Sequence, residues 1–205
     1  MSGIAASRAR ALTAVAAFAL VALLVFGLVE LADSPQRTSA NGSGPTLTLT
    51  RVQAQLAGSP APLAALHAQA SLILPGGPSA LRARLTALRG YPVVIDKWAS
   101  WCGPCQQERA ALQAASVSYG RTVAFIGIDS GDTSPADAKA FTGQVPVGYP
   151  SYSDPSGHLG VTVTDSTFTP ATVFYDRAGH QYIHQGPYPS AAKLESDVRR
   201  YALDE

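Results

Sequence analysis

The sequence predicts an α/β layered domain, and three observations predict it. Two apolar runs rich in β-branched residues, "YPVVIDKWAS" at 91–100 and "VAFIGI" at 123–128, read as strands buried on both faces. Segments with helical signals follow each of them. Farther on, "ATVFYD" and "QYIHQG" flank Arg177-Ala178-Gly179, a hairpin signature. The order strand, helix, strand, helix, hairpin, helix is that of an α/β layered domain. The chain shows no internal repeat.

From the N-terminus, residues 11–29 read ALTAVAAFALVALLVFGLV without a charge, close to the roughly 20 residues that cross a bilayer core as a helix. Arg8 and Arg10 precede this run, while Glu30 and Asp33 follow it. The positive-inside tendency leaves the N-terminus in the cytoplasm and the rest outside. A cleaved signal peptide is the competing reading. The apolar run is long for one, and no good small-x-small site follows closely, so an uncleaved anchor is favoured. Either way the domain works where disulfides persist. The predicted organisation is a cytoplasmic stub and transmembrane signal-anchor over 1–31, a flexible extracytoplasmic linker over 32–60, and a folded domain over 61–205.

Residues 32–45 are rich in Ser, Pro and Gly, as a tether is. "TLTLT" at 46–50 alternates like a strand but is too short to assign. Leu63, Leu66, Ala70 and Leu74 follow a helical spacing that "PGGP" stops. Leu81, Leu85 and Leu88 repeat it, with Gly90 as a C-terminal cap. Residues 105–119 read as a helix. Ser134, Pro135 and Asp137 form a helix start, with Ser as N-cap and Pro at the first helical position. A loop rich in Tyr, Pro, Ser and Asp separates that helix from the hairpin. Leu194, Val198 and Tyr201 mark one face of a last helix begun by Ser190.

Composition narrows the function. Hydrophobic residues make up 46% and charged residues 14% of 205, with a formal net charge of +1. No basic run with interleaved aromatics is present, so nucleic acid is not an expected partner. The chemistry concentrates in "KWASWCGPCQQE" at 97–108, which holds the only two cysteines. A structural disulfide across so tight a loop constrains little of the unfolded chain. A zinc site needs about four ligands, and no second cysteine pair exists. The histidines His67, His158, His180 and His184 are scattered, and read as surface or loop residues. A redox dithiol accounts best for the pair. Placed after a buried strand and opening a helix, the first sulfur meets backbone N–H groups and the helix dipole, which stabilise a thiolate.

With "WASWCGPC" after "PVVID", the chain resembles the thioredoxin superfamily, and its surroundings resemble the membrane-tethered TlpA/ResA branch, over roughly residues 85–201. The resemblance implies a thioredoxin fold, a central mixed β-sheet flanked by helices, here preceded by one transmembrane helix. It implies that Cys102 is the exposed nucleophile and Cys105 the resolving thiol. Trp101 stacks beside the site, and Gly103 and Pro104 set its geometry and redox poise. Thr169-Pro170, just before a central strand, matches the family's cis-proline facing the dithiol. Pro170 lies farther from Cys102 than a plain thioredoxin needs, leaving room for the helix and strand that the branch inserts. The two helices expected before Gly90 stand where the family usually has a β-hairpin.

Two acids accompany the pair. Asp96 shares a strand face with Val94 and Trp98, and an unpartnered buried carboxylate there needs a raised pKa or a role. By resemblance it is the general base or acid for Cys105; otherwise it is a strand-end Asp touching water. Glu108 follows Cys105 by one helical turn. It is either the branch's proton-handling acid or an ordinary first-turn Glu favoured by the helix dipole. Lys97, where the branch often has an aromatic, must snorkel or pair.

The expected function is extracytoplasmic thiol–disulfide exchange at the bacterial cell membrane. The domain would reduce disulfides of exported proteins, including apocytochrome c before haem attachment. It would need no cofactor beyond the redox-active pair and would draw electrons from a membrane thiol donor. The alternatives are an oxidant that introduces disulfides and a binding module with a static disulfide. No third cysteine sits in a peroxidatic setting.

Overall fold

The computed structural model describes residues 46–205. The anchor segment expected at 11–29 lies outside the described residues. Among those described, no helix is long and apolar enough to cross a membrane.

Six strands form one mixed sheet. These are β1 (Ile73–Leu74), β2 (Val93–Trp98), β3 (Ala124–Ser130), β4 (Ser151–Asp154), β5 (Ala171–Tyr175) and β6 (Gln181–Gln185), ordered β1-β4-β3-β2-β5-β6. The pairs β1/β4, β4/β3 and β3/β2 are parallel, whereas β2/β5 and β5/β6 are antiparallel. Every residue of β2 and β3 is buried, as continuous apolar runs predict for central strands covered on both faces. The hairpin at β5/β6 forms as expected, with Gly179 at φ +91° in its turn.

Helices cover both faces. They are α1 (Leu49–Gln55), α2 (Ala61–His67), α3 (Gly77–Ala87), α4 (Gly103–Tyr119), α5 (Pro135–Gln144), α6 (His158–Thr164) and α7 (Ala191–Asp197), which runs into a π-helical turn, Val198–Ala202. Val94, Phe125 and Phe174 pack with Leu112 and Ala115 of α4 and Leu194 of α7 on one face. Val93, Ile95, Ile126, Ile128 and Val173 pack with Leu63 and Leu66 of α2, Leu81 of α3 and Leu159 of α6 on the other. Period-two alternation along β2 therefore sends Val94, Asp96 and Trp98 toward α4 and leaves Lys97 facing α6.

Three expectations need correction. The linker predicted to reach residue 60 instead contains α1, capped by Thr48, with Val52 and Leu56 buried against the domain. "TLTLT" is the start of that helix, not a strand. The helical spacing read through Leu74 ends at His67, and Ile73–Leu74 form β1, because pairing to β4 competes successfully with a helix near its end. The segment read as a loop before the hairpin carries β4 and α6. Ser134 caps α5 by accepting from the Asp137 N–H at 3.3 Å, as its sequence signature predicts.

Candidate active site

The dithiol sits at the junction of β2 and α4. Cys102 and Cys105 form a disulfide with S–S 2.03 Å and Cα–Cα 5.3 Å. Cys102 is the N-cap of α4, its Sγ accepting from the Cys105 N–H at 3.1 Å, while Gly103 and Pro104 open the helix. A sulfur in that place faces the positive end of a 17-residue helix. That end favours a thiolate when the bond is reduced. The Thr169–Pro170 bond is cis. Ala171 pairs with Lys97, so Pro170 lies at the same end of the sheet as the dithiol turn. Trp101 and Phe168 are 65% and 76% exposed, giving this end two open aromatic faces.

The exposure expected for Cys102 is corrected. In the disulfide form Cys102 is 3% and Cys105 1% exposed, both packed with Trp98, Ala99, Ala138 and Phe141. Burial is set by these tertiary neighbours, which the motif alone does not specify.

One turn along α4 from Cys105 begins a buried charged cluster of which the sequence showed only half. Asp96 and Glu108 are each 1% exposed, and Arg109 is 2% exposed. The Asp96 carboxylate accepts from the Tyr149 hydroxyl at 2.9 Å and lies 3.8 Å from the Arg109 guanidinium. Arg109 donates through Nε to the Val145 carbonyl at 3.1 Å and lies over the rings of Trp98 and Phe141, themselves stacked at 4.7 Å. Glu108 accepts from the Tyr188 N–H at 2.7 Å. Arg109 Nη1 and Nη2, Asp96 Oδ1 and Glu108 Oε1 make no hydrogen bond to the described residues.

The two acids titrate apart. Burial pushes Asp96 up to about 6, with Arg109 and the Tyr149 hydroxyl holding it down. Burial and then the charge of Asp96 push Glu108 up to about 8, against the Tyr188 N–H and Arg109. At neutral pH one carboxyl is mainly ionised and the other mainly protonated, the separation that acid and base roles require. Asp96 is thus neither partnerless nor at a wet strand end. Arg109 and Tyr149 are the residues that reading the sequence missed. Arg109 follows Cys105 by four residues and so shares its helical face, a spacing that could have flagged it.

Lys97 is 1% exposed on the opposite face. Its ammonium donates to the Ser166 carbonyl at 2.7 Å, and burial lowers its pKa while the Asp154 charge raises it. It pairs internally rather than snorkelling to water. His67, read as a surface or loop residue, is buried, its ring nitrogens 2.9 and 2.8 Å from the carbonyls of Gly148 and Gly120.

A mixed sheet with a helix-capping Cys-Gly-Pro-Cys disulfide and a cis-proline at the same end defines a thioredoxin-fold protein. The profile of the AhpC/TSA family matches residues 68–180, more than half of the chain, and the chain belongs to that family. Among curated proteins it is 42% identical over 52 residues to a thioredoxin of Mycolicibacterium smegmatis, covering 24% of this chain and 46% of that protein. It is 27% identical over 78 residues to the thioredoxin-like protein YneN of Bacillus subtilis, covering 37% and 46%. The chain spans about half the length of the curated relatives it matches. Among solved structures it is similar to a protein from Chlorobium tepidum described as a thiol:disulfide interchange protein DsbE. That match has TM-score 0.51 and 28% identity over 57% of this chain and 84% of that one. It is also similar to MTB DsbF in its mixed oxidised and reduced forms, with TM-score 0.52 and 26% identity over the same shares, 57% and 84%.

Proposed function

We propose that this protein is an extracytoplasmic, membrane-anchored thiol–disulfide oxidoreductase of the TlpA/ResA type that reduces disulfides in exported proteins. The observation that carries the reading is Cys102 Sγ at the N-terminus of α4, bonded to Cys105, with buried Asp96 on the preceding strand and buried Glu108 one helical turn on. In the reduced protein the Cys102 thiolate attacks a substrate disulfide. That S–S bond breaks, and one substrate sulfur leaves and takes a proton. Cys105 then gives its proton to the Asp96 carboxylate and attacks Cys102 Sγ, breaking the mixed disulfide. The second substrate sulfur leaves and is protonated, with Glu108 as the proton source. Two electrons pass to the substrate, which becomes two thiols, and the protein becomes the disulfide described above. A membrane thiol donor resets it.

Similarity to a protein described as a thiol:disulfide interchange protein supports this activity, as does the charge-free run at 11–29 for its location. Thiols of apocytochrome c before haem attachment are one substrate of the right chemistry. One observation favours the oxidant reading instead. Arg109 is a buried cation on the helical face of Cys105, and a cation there stabilises the reduced form. Asp96 and Glu108 beside it offset that charge, so the reductant reading stands.

The test is dithiothreitol-driven reduction of a disulfide-bonded test protein by the full chain. Wild type should accelerate it, Cys102→Ser should abolish the acceleration, and Cys105→Ser should accumulate mixed disulfides through Cys102. An inert wild type whose disulfide resists dithiothreitol would leave the static binding module.

A further inference from the structure

The segment just before the nucleophile is held by residues outside the motif. Ser100 donates to both carboxylate oxygens of Asp132, from its N–H at 2.8 Å and from its hydroxyl at 2.8 Å. Next door, Trp101 Nε1 donates to the Gly131 carbonyl at 3.3 Å. The Ser100 carbonyl accepts from Gln106 of α4 at 3.1 Å, and the Cys102 N–H donates to the Ala99 carbonyl at 3.2 Å. Residues 99–102 are therefore tied on one side to their own helix and on the other to the turn that follows β3.

That turn is itself fixed. Gly131 adopts φ +91° and donates its N–H to the Asp154 carbonyl at 2.8 Å. The Asp154 carboxylate is engaged by the Ser130 hydroxyl at 3.2 Å and the Gly160 N–H at 2.8 Å. Asp132 is only 6% exposed, so its two bonds to Ser100 are largely shielded from water. Asp129, one register step from the motif as the partner of Trp98, is 2% exposed. Burial pushes it up to about 8, followed by a hydrogen bond with Asp132 and the charges of Asp132 and Asp154.

We propose that Asp132 is a positioning residue for the dithiol, acting through Ser100 to set where Cys102 Sγ sits over the start of α4. The inference rests on the exchange activity proposed above and adds a residue beyond the motif, its proline and its two acids. Asp132 touches neither sulfur. It fixes the backbone two residues before Cys102, and with Gly131 it fixes the ring of Trp101 bordering the approach. Sulfur exchange needs three sulfurs in line, so slack at Ser100 should be felt as lost alignment.

Asp132→Ala removes both acceptors, whereas Ser100→Ala removes only the hydroxyl donor. With the full chain, each variant is assayed for exchange with a small aromatic disulfide, for its dithiol–disulfide equilibrium against dithiothreitol, and for its folded fraction. Asp132→Ala should lose about tenfold or more in the exchange rate of the folded protein, within the cost of a misplaced reacting group. Its equilibrium with dithiothreitol should also move by at least about threefold, since the turn that favours the closed disulfide is slackened; a purely structural acid would leave both numbers unchanged in folded molecules. Ser100→Ala should lose less than Asp132→Ala, in the same direction. If Asp132→Ala does not fold, Ser100→Ala decides alone. Wild-type rate and equilibrium in every variant that folds would overturn the inference, and an inactive wild type would instead remove the reading beneath it.

Discussion

Replacing Arg109 by Met tests the charge logic of the buried cluster. The change keeps most of the side-chain volume between Trp98 and Phe141 but removes the cation 3.8 Å from Asp96. At pH 8 Asp96, with its pKa near 6, is ionised, and Met leaves that carboxylate buried without its cation. Breaking one side of a buried ion pair costs about 3–5 kcal/mol. At pH 5 Asp96 is mostly protonated in both proteins, so the loss is confined to the contacts of the guanidinium with the two rings and its hydrogen bond to the Val145 carbonyl, about 2–4 kcal/mol and the same at both pH values. The sign follows from linkage. A carboxyl whose folded pKa lies above its unfolded value costs stability as pH rises from the unfolded value through the folded one. Losing Arg109 raises the folded value further and extends that window upward. Urea unfolding should therefore show a penalty that grows from pH 5 to pH 8. Adding Asp96→Asn to Arg109→Met should recover most of it at pH 8. A penalty equal at both pH values, or no relief in the double variant, would refute the pairing.

Glu108→Gln should flatten the stability profile of the protein between pH 4.5 and 8, because the raised wild-type carboxyl costs stability across that window; urea melts at pH 5 and 8 measure it. Asp96→Asn should slow resolution of the mixed disulfide more than its formation, followed by stopped-flow with a trapped substrate. It should also leave stability at pH 7 intact or raised, since a carboxyl held near pKa 6 costs stability when ionised even with Arg109 beside it. Leu112→Ala, at a position 1% exposed between α4 and the sheet, should cost about 2–5 kcal/mol while leaving the exchange rate of folded molecules intact.

What could be read in the sequence was what local pattern encodes. β2 and β3 are legible because both faces of each are covered, which demands an unbroken apolar run. The start of α5 is legible because Ser134 and Pro135 do their work within one turn. Helix α1 was not, because it buries only Val52 within its seven residues, too little for a periodic signal. β4 and α6 hid in a segment of Tyr, Ser, Asp and Gly whose composition is that of a loop. Asp154 there is satisfied by Ser130 and Gly160, contacts that only the fold supplies. The cysteines, the proline and the two acids of the candidate site could be named in advance. The cation could not: Arg109 looks like any charged helix residue until Asp96, Trp98 and Phe141 are folded around it.

The central claim is that the Cys102–Cys105 pair cycles and runs as a reductant. Its reduction potential, measured by equilibrating the full chain with dithiol buffers and scoring alkylated thiols, tests that most directly. The Gly-Pro between the cysteines and the acids that offset Arg109 predict a value near that of thioredoxin, about −270 mV. The corresponding state in growing cells, read by acid-trapped alkylation, should be the dithiol. A potential near about −120 mV, that of a strong oxidant, with the protein found as a disulfide in cells, would contradict the account.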